Sequence, residues 1–139
     1  MSTSSQLFVY GTLMRGQRLH RHLQEAPAIE FMGNARIRGK LYHLPRRRYP
    51  GAIRDRGRRD FIHGELYRLA EPQPTLKKLD QLEGCDEGLF ERRLVNVWPD
   101  GENKTKAWAY FFARPLEKAT PIPAGRYREP AGPRPATPA

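Results

Sequence analysis

Helical patterning is strong in one stretch of this chain, residues 71–84, "EPQPTLKKLDQLEG", and that scarcity constrains the fold more than any other feature. Pro72 and Pro74 stand at its opening, where a missing N–H costs little. Leu76, Leu79 and Leu82 recur every third residue and are expected to form one apolar stripe, and Gly84 is the expected stop. A second, weaker helical candidate is "GQRLHRHLQ", residues 16–24, with Leu19 and Leu23 four apart. Most of the remainder reads as short strands rich in β-branched and aromatic residues: "QLFVY" (6–10), "FIHGELYRL" (61–69), "LFERRLVNVW" (89–98) and "KTKAWAYFF" (104–112). Residues 28–44 read as two strands or one long bent strand, with Gly33 as bulge or turn. "YPGAI" reads as a turn with a short extended piece, and Asp100-Gly101 is a hairpin signal. Six or seven strands and two short helices without βαβ alternation or internal repeat predict a small α+β domain. Its sheet is expected to be mixed or largely antiparallel and partly closed.

A length of 139 residues suits one domain. Seven of the thirteen prolines lie in residues 115–139, which show no hydrophobic period. The expected organisation is a domain over 1–114 and a Pro-rich tail over 115–139 that either wraps the domain or is disordered. No apolar run nears the ~20 residues of a membrane-spanning helix. The start "MSTSSQ" has no basic n-region, and no apolar h-region follows it, so a soluble cytoplasmic protein is the expectation. Cys85 is the single cysteine, and His20 and His22, two apart, fall on different helix faces. Neither a disulfide nor a metal framework is expected.

The formal net charge is +10, and "PRRRYPGAIRDRGRRD", residues 45–60, holds seven arginines. Such a patch could hold phosphates. Its single interleaved aromatic is Tyr49, and no DNA- or RNA-binding motif accompanies it, so it is read first as a solvated basic loop, with a surface for nucleic acid or an acidic partner as the alternative.

Three stretches carry candidate chemistry. In Tyr10-Gly11-Thr12-Leu13 a strand ends in a glycine and a hydroxyl; alone this is a turn, or a place where successive amides form a nest for a carboxylate or oxyanion. In "LDQLEG" (79–84), Asp80 and Glu83 are three apart and share a helical face. Glu83 stands at the negative end of the helix, which drives its pKa upward; alone it is an exposed surface glutamate or a misplaced, and so functional, acid. In "HGELYRL" (63–69), Glu65 falls between apolar positions and reads as a rim residue or salt-bridge partner.

Taken in order, YGTL, YPGAI, GELY, LDQLEG, the strand opening with an aromatic and arginines, and AWAYFF resemble the γ-glutamylcyclotransferase-like family over roughly residues 6–112. The similarity is greatest to its small AIG2-like and γ-glutamylamine cyclotransferase branch. The resemblance implies a small mixed β-barrel with flanking short helices. It implies an enzyme that cleaves γ-glutamyl amides: the α-amino group attacks the side-chain carbonyl, 5-oxoproline closes and an amine leaves. It implies that Tyr10, Gly11, Thr12 and Leu13 cup the γ-glutamyl moiety and that Glu83 is the single catalytic carboxylate, base and then acid. No metal or organic cofactor is implied, and Cys85 is not needed as nucleophile. The implied partner is a small γ-glutamyl substrate. One departure stands at the substrate-binding position seven residues beyond Glu83, where many members have tyrosine and this chain has Phe90. Ring stacking survives there and a hydrogen bond does not, which bears on the substrate. An arginine of the basic loop could pair a substrate carboxylate bidentately. The alternative is a binding module on the same fold, holding a small acidic metabolite without turnover.

Overall fold

The strand segments close on themselves. The computed structural model describes residues 5–17, 19–25, 28–44, 50–54, 60–116 and 119–127. Its strands are β1 (Gln6–Val9), β2 (Glu30–Arg38), β3 (Lys40–His43), β4 (Pro50–Ile53), β5 (Phe61–Arg68), β6 (Phe90–Pro99), β7 (Thr105–Phe112) and β8 (Thr120–Ile122). The helices are α1 (Arg21–Gln24) and α2 (Pro72–Leu82), with a 3-10 turn at Cys85–Glu87. A closed barrel runs β1-β5-β2-β6-β7. Its pairs are antiparallel except the last, where β1 meets β7 in parallel at Leu7 and Trp108. Closure leaves no barrel strand with an open edge. A smaller antiparallel sheet, β4-β3-β8, stands beside it.

Alternation along the strands builds two cores. Phe8 of the first strand and Tyr10 just beyond it, with Ala107, Ala109 and Phe111 of β7, belong to one cluster. Leu7, Val9 and Tyr110 face the other way and meet Leu76 and Leu79 of α2 in a second. Both leucines are nearly fully buried, at about 1.5–3 kcal/mol each. The expected stripe ends there, because Leu82 is 39% exposed. Three residues fall 60° short of a full helical turn, so two such steps carry Leu82 about 120° away from Leu76.

Several expectations are sharpened. Residues 28–44 form two strands, with a register shift between Phe31 and Gly33 and the break at Gly39. The helix expected over 16–24 shrinks to Arg21–Gln24, because the chain before it is spent in turns, Met14 N–H to the Gly11 carbonyl and Gln17 N–H to the Met14 carbonyl. "PGAI" is a strand paired with β3. Past residue 114, β8 pairs with β3, and Tyr127 is 5% exposed within the barrel cluster. Tail residues 117–118 and 128–139, and basic-loop residues 45–49 and 55–59, lie outside the described residues. Among the described residues no helix is long and apolar enough to cross a membrane.

Candidate active site

The first strand ends at Val9, and Tyr10 to Leu13 turn away from it, each of them buried. The need for Gly11 is steric. A Cβ there would lie 2.9 Å from Cγ and Cδ of Pro50, the first residue of β4. Gly11 is not among the glycines with positive φ, so close packing, and not an unusual backbone angle, excludes other residues. Tyr10 is fully engaged inside the protein: its hydroxyl donates to the Tyr110 carbonyl at 2.7 Å and accepts from the Ala52 N–H at 3.3 Å. Burial, then the charge of Glu83, raises its pKa. What Tyr10 offers a ligand is its ring and backbone.

Across the cavity stands the C-terminal end of α2. Glu83 is its C-cap, and Gly84 follows with φ 71°, the left-handed conformation that stops the helix. Asp80, one turn earlier, anchors this end to the barrel. Arg92 of β6 grips it with two bonds, Nε to Oδ1 at 2.8 Å and Nη2 to Oδ2 at 3.0 Å. The Tyr110 hydroxyl donates to Oδ1 at 2.7 Å. The Arg92 guanidinium also lies 4.5 Å from the Trp108 ring centre. Bidentate, partly buried pairing of this kind fixes geometry as well as adding stability.

One cavity joins these two elements. It is lined by Tyr10, Gly11, Thr12 and Leu13 from one side and by Glu83 and Phe90 from the other. Leu19, Leu82, Leu89 and Pro50 make much of the remaining wall. The volume open to centres of water-sized molecules is about 80 Å³, several waters' worth, which suits one small moiety. Among the described residues Glu83 has neither a hydrogen-bond donor nor an ion-pair partner. Its pKa is pushed up to about 7, first by burial and then by the Asp80 carboxylate. The direction matches the sequence expectation, but the main cause is desolvation, which overrides the helix end. Such a group accepts and returns a proton near neutral pH.

All the sequence-predicted positions, Tyr10, Gly11, Thr12, Leu13, Glu83 and Phe90, therefore meet at one cavity. Phe90 is 3% exposed and packs edge-on against Phe112 at 5.5 Å. The Cys85 thiol is pushed up to about 11 by burial and then by Asp80 and Glu83, so it stays protonated near neutral pH. Glu65 does not line the cavity; it is a salt-bridge partner of Arg15 at 3.3 Å. Among the described residues no three His, Cys, Asp or Glu side chains are grouped to hold a metal. Sequence reasoning missed Arg92, Tyr110 and Pro50. Arg92 and Tyr110 are direct cross-strand neighbours, a relation visible once the β6–β7 register is known.

The family profile described as gamma-glutamyl cyclotransferase, AIG2-like, matches residues 7–129. The chain is 34% identical over 128 residues to the gamma-glutamylcyclotransferase family protein ytfP of Citrobacter rodentium, covering 87% of this chain and 93% of that protein. It is 33% identical over 113 residues to the gamma-L-glutamyl-butirosin B gamma-glutamyl cyclotransferase of Niallia circulans, covering 78% of this chain and 67% of that protein. The solved structure of YkqA from Bacillus subtilis superposes with a TM-score of 0.69 at 26% identity; 90% of this chain is covered, and the chain spans 40% of that one. Together with the barrel and the cavity, these matches show that the chain belongs to the AIG2-like gamma-glutamyl cyclotransferase family, as an enzyme of γ-glutamyl cyclotransferase type.

Proposed function

We propose that the protein converts a γ-glutamyl amine or γ-glutamyl-amino acid to 5-oxoproline and a free amine or amino acid, with Glu83 as the single proton shuttle and no cofactor. One observation carries the reading. A carboxylate without a protein partner among the described residues, with a pKa near 7, shares a small cavity with the Gly11–Leu13 turn.

The chemistry follows from that arrangement. The substrate's nucleophile is tethered to its electrophile, so closing a five-membered ring needs positioning more than a new covalent partner. Glu83 takes a proton from the substrate α-ammonium. The freed amine attacks the γ-carbonyl carbon, and the oxygen takes the negative charge. Backbone amides of Gly11 to Leu13 stabilise that oxyanion, at about 3 kcal/mol for each well-placed donor. As the carbon–nitrogen bond breaks, protonated Glu83 returns its proton to the leaving nitrogen, and the regenerated carboxylate takes the second proton from the ring nitrogen and passes it to the freed amine, which departs as an ammonium. Moving a proton from an ammonium of pKa about 8 to a carboxylate near 7 costs about 1.4 kcal/mol, against about 5 kcal/mol for an ordinary glutamate. The raised pKa is thus worth more than two decades in the population of the reactive amine. Phe90 supplies a ring face to the γ-glutamyl chain, and the leucine-lined wall limits water.

The test is formation of 5-oxoproline from a panel of γ-glutamyl amines and γ-glutamyl-amino acids by wild type and by Glu83→Gln. Wild-type turnover lost in the variant is the expected result. Saturable binding with no product from any member of the panel would instead mark a binding module.

A further inference from the structure

A second buried carboxylate takes no part in the chemistry above. Glu65 of β5 is 8% exposed. Burying an ionised carboxylate costs several kcal/mol unless donors surround it, and here both oxygens are used. Oε1 accepts the Tyr67 hydroxyl at 2.8 Å and the backbone N–H of Arg15 at 2.9 Å. Oε2 faces Arg15 Nε at 3.3 Å. The Arg15 guanidinium also lies 3.8 Å from the centre of the Phe31 ring, and Phe31 is the cross-strand partner of Tyr67.

Arg15 lies two residues beyond Leu13, in the continuation of the segment that lines the cavity. Much of that segment's hydrogen bonding is local: Met14 N–H to the Gly11 carbonyl at 3.0 Å, Leu19 N–H to the Thr12 carbonyl at 2.9 Å, and the His20 ring on the Leu13 carbonyl at 2.9 Å. Local bonds fix the shape of a turn but not its place on the barrel. The Tyr10 hydroxyl ties the start of the segment to β7 and β4, and the Glu65–Arg15 bond ties its far end, because Glu65 belongs to a strand paired on both sides, to β1 and to β2. A carboxylate bond to a backbone N–H is charge-assisted and about twice as strong as a neutral one.

We infer that Glu65 is a positioning residue: through the Arg15 backbone N–H it holds the Gly11–Leu13 amides in place at the cavity wall, and so governs kcat without touching substrate. This rests on the reading that those amides receive the oxyanion. The strong bond runs to the main chain of Arg15, so the identity of that side chain is secondary, while the acceptor at position 65 is essential.

Three variants of the full chain test this by amide hydrogen exchange and steady-state kinetics together. Glu65→Ala is expected to lower kcat on the order of 10²-fold with KM little changed, since an ångström of misplacement costs that much. Exchange at residues 12–16 should rise on the order of tenfold, as for one lost bond, with the barrel strands unaltered. Glu65→Gln keeps the acceptor and should recover kcat. Arg15→Ala keeps the N–H and should stay within about fivefold of wild type, the usual limit for an exposed ion pair. The inference is overturned if exchange at 12–16 is unchanged in Glu65→Ala, if Glu65→Gln recovers nothing, or if Arg15→Ala does equal damage. If Glu65→Ala does not fold, Glu65→Met removes the acceptor at similar volume and is judged by the same readouts. Exchange is measured without substrate, so the latch stands or falls even if no γ-glutamyl compound is turned over.

Discussion

Glu65 and Glu83 are the same residue in opposite circumstances. Glu65 lies in mid-strand and receives three donors, which consume both of its oxygens. Glu83 lies at a helix end, partly buried, and receives none among the described residues. The first is tied to the loop that forms one wall of the cavity. The second is left with its proton affinity raised, facing that wall. On the proposed reading, burial alone does not make a carboxylate catalytic. Burial with donors makes a strut, and burial without them makes a base whose pKa approaches neutrality.

The largest effect should come from removing the proposed base. Glu83→Gln is expected to lower turnover by about 10³-fold, as for loss of a general base, measured as 5-oxoproline formed. The same variant tests the cost of keeping that base unpaired. The folded-state pKa of Glu83, about 7, lies above its unfolded value, so the folded state holds the extra proton between the two. Stability is therefore lost as pH rises from about 4.5 to 7, by at most about 3 kcal/mol. Glu83→Gln should accordingly melt higher than wild type at pH 8 and show no such gain near pH 4.5. A Tm difference independent of pH would mean that Glu83 does not titrate as its surroundings suggest.

Asp80→Asn should come next. It removes the neighbouring negative charge and weakens the Arg92 fork, at about 2 kcal/mol of stability. For a base, kcat/KM rises with pH through the pKa of the free enzyme. The wild-type limb is thus expected near pH 7, and in Asp80→Asn it should move to lower pH because one cause of the raised pKa is gone. A variant that scales the whole profile down without moving it would make Asp80 a purely mechanical anchor.

Gly11→Ala forces a methyl against the Pro50 ring and should cost about 1–3 kcal/mol of stability together with turnover. Adding Pro50→Ala should restore much of both. An unrescued double variant would show that Gly11 is needed for something other than room. The smallest change is expected for Phe90→Tyr, which returns a hydroxyl to the cavity wall. KM should shift by a few-fold at most, since one neutral hydrogen bond is worth about 1 kcal/mol.

Much of this arrangement could be read before any coordinates. The period of two in β1 and β7, and Pro72 and Gly84 bracketing α2, are local signals, and they survive folding because neighbouring positions on one element decide them. The pairing of the YGTL and LDQLEG segments was legible through family resemblance, not through spacing. The asymmetry of the two glutamates was not legible. Glu65 in "HGELYRL" and Glu83 in "LDQLEG" both sit beside leucines, and two of the three donors that separate them come from Arg15, fifty residues from Glu65. Arg92 and Tyr110 became partners of Asp80 through the register of β6 against β7, a one-residue slip of which would put the two on opposite faces. Leu82 was misassigned to the buried stripe because a three-residue repeat only approximates a helical turn.

By itself, then, the sequence determined the segments of the five barrel strands, where the one long helix starts and stops, and which residues offer hydroxyls, amides and carboxylates. These depend on side-chain period and backbone chemistry within a few residues. Tertiary structure decided which carboxylate is satisfied and which is left to carry a proton, because desolvation and donor count are properties of what surrounds a residue in space. Closing the barrel brought β5 against the loop after β1, and the end of α2 against β6 and β7. The same closure gave Glu65 its donors and Glu83 its cavity.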